Sequence, residues 1–269
     1  MSYLGDVRQS RDLFFNLTLR ELRSKYKRSI LGWGWSLLNP LATMVIFTAV
    51  FSVLLKSDPD PGKPSGLHVF ALFLLCGLLP WNYLSNCLTG GMYTLVGNAN
   101  LVKKVYFARE ILVAASVASW LVSFLIEMGV LLVALLVFGN NVLPWIPALI
   151  VLILIQTMFT LGVALVFSIL NVYFRDTQHL IGILLQMWFY GTPIIYSLKL
   201  VQDHAHGWAL RLYDLNPMVQ FVTAYRNLLY DLRWPSAGTV AYLVAVSFAT
   251  LVLGIAVFRR FEGRLAEEL

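Results

Sequence analysis

The sequence predicts an all-α membrane protein: six transmembrane helices, an amphipathic interface helix before them, and re-entrant half-helices between spans five and six. Two observations carry this. The chain of 269 residues is 59% hydrophobic and 13% charged, whereas soluble domains carry about a quarter charged residues. The charges also fall in the gaps between long apolar stretches. One transmembrane domain over 1–269 follows, with a cytoplasmic interface region (1–35), the spans (36–258) and a cytoplasmic tail (259–269).

Asp6–Tyr26 reads as a helix lying on the membrane. Leu13, Phe14, Leu17 and Leu22 form its apolar stripe, and Arg11, Arg20, Arg23 and Lys25 its wet faces, the pattern of an interfacial helix. Anchoring the first span and touching a substrate or a cytoplasmic partner are both open to it. Ser29–Trp35 places tryptophans at the interface. Asn39-Pro40 fits a cap followed by proline at the first helical position, so the first regular turn of span one is expected there.

The six apolar stretches are Ser36–Leu55, Leu67–Leu88, Ile111–Phe138, Ile146–Tyr173, Leu180–Tyr196 and Thr239–Phe258. A helix needs about 20 mostly apolar residues to cross a bilayer core, with a lower limit of about 17; the fifth stretch sits at that limit. Lys56–Gly66, with Pro59, Pro61 and Pro64, is an external connection. Gly90–Glu110 joins spans two and three and contains an amphipathic piece, Asn98–Phe107, with Lys103, Lys104 and the following Arg109 at the cytoplasmic face. The short turn Gly139–Trp145 makes spans three and four an antiparallel hairpin. Phe174–His179 is a second short cytoplasmic connection, in which Asp176 is placed to cap span five. Ser197–Trp234 is half apolar and broken at Gly207 and Asn216-Pro217. Asn216 can cap a helix that starts at Pro217 and runs to Leu229. Two half-helices dipping into the membrane, allowed where protein or a cavity covers them, compete here with an ordinary surface loop.

Fourteen of the 20 Lys and Arg residues lie before span one, between spans two and three or four and five, or after span six. This bias places both termini in the cytoplasm. The net charge of +6 therefore reads as orientation and lipid contact, not nucleic-acid binding. The first 35 residues lack the apolar core and cleavage site of a signal peptide. Cys76 and Cys87 are eleven residues apart on one helix, about 16 Å. That is too far for a disulfide, so both read as buried apolar residues.

No G-x-x-x-x-G-K-[ST], H-E-x-x-H or C-x-x-C pattern is present, so the sequence offers no phosphate cradle, no catalytic residue and no metal site of those kinds. His204-Ala205-His206 lacks a third ligand nearby. Glu127 is the one acid deep in a span and so a functional candidate. The reading preferred for it is a structural hydrogen bond to Gln156 or Gln186, with a place in a translocation pathway as the alternative. Trp81, Tyr83, Trp188, Phe189, Tyr190 and Tyr196 suit either packing or the stacking of sugar rings.

Five fragments in register resemble one family. They are Lys25-Tyr26-Lys27-Arg28-Ser29-Ile30-Leu31-Gly32 with Trp35-Ser36-Leu37-Leu38-Asn39-Pro40-Leu41; Asn100-Leu101-Val102-Lys103-Lys104-Val105-Tyr106-Phe107-Ala108-Arg109-Glu110; Tyr173-Phe174-Arg175-Asp176; Thr192-Pro193-Ile194-Ile195-Tyr196; and Leu215-Asn216-Pro217-Met218. In this order the chain resembles the membrane subunit of polysaccharide-exporting ABC transporters. Ala108 and Thr192 depart mildly from that pattern, where proline and serine are common. The resemblance implies a permease of the bacterial cytoplasmic membrane that pairs with a second copy to form a channel. A separate ABC ATPase, which holds the ATP and Mg, would drive it, and this chain would bind no cofactor.

The resemblance also distributes roles. Asn98, Leu101, Lys103, Lys104 and Arg109 would couple to the ATPase. Arg20, Arg23, Lys25, Lys27 and Arg28 would meet the diphosphate of an undecaprenyl-linked glycan where it enters. Trp81, Tyr83, Trp188, Tyr190 and Tyr196 would line the channel, and Asn216 and Pro217 would sit at a re-entrant gate. Rival readings are an exporter of teichoic acid or another amphiphile, a membrane transferase, which would need a clustered acid or histidine, and a scaffold, which would need no basic coupling element.

Overall fold

Four helices are long and apolar enough to cross a bilayer: Phe70–Gly97, Glu110–Val137, Leu143–Tyr173 and Ala237–Arg264. They belong to a computed structural model that describes residues 3–26, 34–50, 61–104, 107–198, 201 and 207–269. Lys27, Arg28, Ser29–Trp33, the first part of the Lys56–Gly66 connection, Val105-Tyr106 and His204-Ala205-His206 lie outside the described residues. The described chain is helical, without strands.

In order, the helices are α1 (Tyr3–Tyr26), α2 (Gly34–Phe47), α3 (Phe70–Gly97), α4 (Ala99–Lys104), α5 (Glu110–Val137), α6 (Ile146–Tyr173), α7 (Thr177–Tyr190), α8 (Trp208–Asp214), α9 (Pro217–Arg226), α10 (Ala237–Phe261) and α11 (Leu265–Glu268). A π-helical turn, Asn227–Asp231, continues α9.

The bundle centres on α3, packed between α5 and α6, with α10 against α6. The α6–α10 contact is set by glycine. A Cβ on Gly162 would strike the Thr250 backbone, and one on Gly254 would strike the Gly162 backbone. Without a hydrophobic force between helices in lipid, such close backbone approach is what lets them gain dispersion contact. Polar side chains add fixed points. Gln156, fully buried, donates to the Pro80 carbonyl on α3 at 2.8 Å and accepts from Tyr225 Oη on α9 at 2.7 Å. Asn171 Nδ2 donates to the Met92 carbonyl at 2.9 Å.

The hairpin expected at Gly139–Trp145 is present. Gly139 takes φ +85°, and the Gly139 and Asn140 amides donate to the Leu136 and Leu135 carbonyls, a Schellman ending that needs a residue able to adopt the left-handed region. Asn140 Nδ2 then donates to the Leu229 carbonyl at 2.6 Å, tying this turn to the end of α9.

Several boundaries differ from those expected. Helix α2 starts at Gly34, so Asn39-Pro40 lies inside it rather than opening it; as the seventh residue, Pro40 is past the four amides that lack an intrahelical partner and forgoes one bond of the helix. Helix α3 runs to Gly97, nine residues past the expected end at Leu88, so Gly90–Gly97 is helix and not connection. The helix at the fifth stretch, α7, has 14 residues, about 21 Å, short of a core about 30 Å thick. It starts at Thr177 and stops at Tyr190, because Gly191–Tyr196 turns away to meet α9. Asp176 does take the N-cap position of α7, but without a side-chain cap bond; its carbonyl accepts from the His179 amide instead. Helix α1 packs along α5, with Leu17 and Leu22 buried, so it is docked on the bundle.

Candidate functional site

Polar machinery gathers at the two ends of α3. At its C-terminal end Asn98 closes the helix, with Nδ2 on the Thr94 carbonyl at 2.8 Å, and α4 begins at once. Val102 turns inward and is buried, while Lys103 and Lys104 are exposed and Leu101 is half-buried. This pattern on six residues buries one side and leaves two cations exposed to solvent. From α1, Arg20 donates to Asn98 Oδ1 at 2.6 Å and to Glu21 at 3.3 Å. From the connection before α5, Arg109 donates to the Glu262 carbonyl beyond α10. Tyr173 stacks edge-on to Phe261. Three distant segments thus meet around α4.

The basic set proposed for the diphosphate divides. Arg20 and Arg23 are exposed. Lys25 is not on a wet face: its Nζ sits 3.3 Å from the centre of the Trp120 ring on α5 and is covered. Burial pulls the Lys25 ammonium down to about 8, against the opposing pull of Cys87, Glu21 and Glu127. The cause of the misreading is the docking of α1, which turns the helix end toward α5.

At the N-terminal end of α3 the organising residue is Arg226, which sequence reasoning missed. Its side chain is 7% exposed and lies 3.6 Å over the Phe73 ring. It donates to the carbonyls of Pro193 at 2.5 Å, Ile194 at 2.6 Å and Phe73 at 3.3 Å. The irregular backbone Thr192–Tyr196 offers no helical partners for the Pro193 and Ile194 carbonyls, and the guanidinium fork supplies them. The signal was available: a lone cation within the apolar run Pro217–Leu229, the same signal that singled out Glu127. It is masked in the sequence because Ser197–Trp234 leaves two half-helices and a surface loop both open, and neither reading assigns Arg226 a partner.

Asn216 completes this junction. Its Oδ1 accepts from the Met218 amide at 3.0 Å, the expected cap, and also from the Trp188 indole N–H at 2.8 Å. Its Nδ2 reaches the Gly191 carbonyl at 3.2 Å. One side chain therefore joins the end of α7 to the start of α9, with Pro217 at the first helical position. Beside it is a cavity of about 360 Å³ lined by Phe73, Thr223, Arg226, Tyr230 and Asp231 among others. Burial raises the Asp231 carboxyl, opposed by the Lys63 amide, Arg233 and Arg226; Arg233 Nε is 3.2 Å away.

The expected channel aromatics do not share one surface. Trp81 and Tyr83 are 5% and 2% exposed, sealed inside this chain. Trp81 meets Trp188 and Phe189 edge-on. Tyr83 stacks on Phe124 at 4.8 Å and donates to Thr157. Only Tyr190 is exposed, with Trp188 and Tyr196 half-buried. Tyr196 Oη donates to the Tyr190 carbonyl at 2.8 Å. The first two are core residues because α3 lies at the centre of the bundle.

Glu127 is not held by either expected glutamine. Gln156 is occupied by Pro80 and Tyr225, and Gln186 is exposed on α7. Among the described residues, the charged group within electrostatic range of Glu127 is Lys25, from α1.

The family model of the ABC-2 type transporters matches residues 12–230, from α1 through the Arg226 junction to the π-helical turn. The chain belongs to the ABC-2 type transporter family. Among curated relatives of this ABC-2 protein, the O-antigen export system permease protein RfbA of Myxococcus xanthus is 32% identical over 264 residues, covering 98% of each chain. A Klebsiella pneumoniae protein of the same name is 28% identical over 264 residues, covering 96% of this chain and 95% of the other. The polysialic acid transport protein KpsM of Escherichia coli is 26% identical over 265 residues, covering 91% and 92%. Nearly the whole ABC-2 protein, both ends of α3 included, thus has a counterpart in each.

Proposed function

We propose that this chain is the permease subunit of an exporter that carries a polysaccharide, built on an undecaprenyl diphosphate carrier, across the bacterial inner membrane. The observation that carries the reading is near full-length similarity to O-antigen export permeases. In this reading the chain crosses six times, with α2 and α7 completing the set, α7 continued by the non-helical Gly191–Tyr196, and both termini are cytoplasmic. Two copies form the channel. A separate nucleotide-binding ATPase binds ATP and Mg and drives it.

The exposed lysines of α4 support the coupling role, because a partner groove lined with acids would meet two free cations. Arg20 and Arg23, with Lys27 and Arg28, are the groups that would draw a diphosphate from the inner leaflet. Asn216, Pro217 and Arg226 would hold the outer closure in one shape. Tyr190, Trp188 and Tyr196 would offer sugar-stacking surface, and Trp81 would act through Trp188.

The test is purification of the tagged chain from its own membranes, followed by reconstitution. Expected are a twofold copy of this chain with a nucleotide-binding subunit, and ATP turnover stimulated by undecaprenyl diphosphate glycans. Recovery of a monomer that recruits no such subunit would overturn the reading. Stimulation by teichoic acid polymers alone would overturn the substrate.

A further inference from the structure

We infer that α11 is a strut that sets the orientation of the coupling helix α4, with Leu265 as the positioning residue. The inference rests on the proposed coupling role of α4 and adds a residue that role did not contain. Helix α4 has six residues, far below the length at which a helix holds itself in water. Its shape must come from neighbours. Among the described residues it packs on α3, from which it springs, and on α11, some 160 residues away in sequence.

The stretch Arg259–Glu268 is rich in charge, yet Leu265 within it is 0% exposed and belongs to the same buried cluster as Val102 of α4. Helix α11 also packs on α6, the helix locked to α10 through Gly162 and Gly254. The segment leading into α11 is held by Arg109 on the Glu262 carbonyl and by the Tyr173 hydroxyl on the Phe261 carbonyl at 3.4 Å. Force applied at Lys103 and Lys104 therefore has a rigid route through α11 into the α6–α10 pair. Without the strut, α4 would hinge at Asn98 and absorb the force.

The experiment has two readouts. In the first, a nitroxide is placed at Lys104→Cys in the full-length chain alone in nanodiscs. The native cysteines, both buried, stay unlabelled. Leu265→Asn is expected to convert an ordered spectrum into a mobile one, and Leu265→Met to restore it. In the second, with the native Lys104 and the cognate ATPase present, Leu265→Asn is expected to lower polymer-stimulated ATP turnover at least fivefold, with Leu265→Met near wild type. Should Leu265→Asn fail to accumulate, Leu265→Ala carries the same test at smaller amplitude. An unchanged nitroxide spectrum in the folded variant overturns the strut. Failure of the wild-type chain to recruit any ATPase overturns the function proposed above while leaving the first readout intact.

Discussion

Replacing Arg226 with methionine keeps the length and apolar stem of the side chain and removes its donors. The carbonyls of Pro193 and Ile194 then lose bonds of 2.5 and 2.6 Å in a place sealed from water. Each buried acceptor left bare costs about 1–3 kcal/mol, so about 2–6 kcal/mol is at stake. Release of the guanidinium from its buried site returns part of this, leaving about 3 kcal/mol. At 1.4 kcal/mol per tenfold, opening of the α3–α9 contact becomes roughly 150-fold more frequent. Cys76 is a native reporter: it is 0% exposed and lies within the electrostatic reach of Arg226. In a Cys87→Ala background, the rate of thiol labelling at Cys76 should rise by about two orders of magnitude at constant pH. Arg226→Lys should fall between, because an ammonium cannot span the two carbonyls as the fork does. Labelling within threefold of wild type in Arg226→Met would refute the argument that this side chain latches the junction.

Gly162→Ala should lower the melting temperature in detergent and cost about 1–3 kcal/mol, because its Cβ meets backbone that cannot rotate away; an unchanged melting curve would remove glycine as the cause of the α6–α10 approach. Asn216→Ala should loosen both the α9 cap and the Trp188 bond, costing about 1–2 kcal/mol, read as faster amide exchange at the start of α9. Lys25 holds fewer protons in the folded state between about 8 and its ordinary 10.5, so stability should rise with pH across that window. Thermal unfolding from pH 7.5 to 9.5 should show this rise, and Lys25→Met should abolish it. Lys103→Glu with Lys104→Glu should leave the fold intact and uncouple the ATPase; unchanged export would count against α4 as the coupling element.

Class, order of elements and several local devices were legible in the residues. Long apolar stretches separated by charge mark helices in lipid whatever their partners. The Gly139 turn and the Asn216-Pro217 start of α9 are local chemistry, set by one backbone conformation and one side-chain bond. Side-chain direction was not legible. Trp81, Tyr83 and Lys25 have ordinary interfacial identities, and periodicity cannot say which helix covers them. Helix ends also escaped, since α3 continues through Gly90–Gly97 on packing that no local signal carries.

Arg226, Gln156 and Leu265 show the division. By itself the sequence determined that this chain is a bundle of membrane helices with a basic element at one end, because the bilayer forces apolar residues and internally bonded backbone on any solution. Only the tertiary structure decided that Arg226 closes a turn 32 residues away, that Gln156 joins three helices, and that a leucine in a charged stretch is buried in the core. Those outcomes depend on which carbonyls and which faces meet in space, and contacts across a hundred residues leave no period for a linear reading to find.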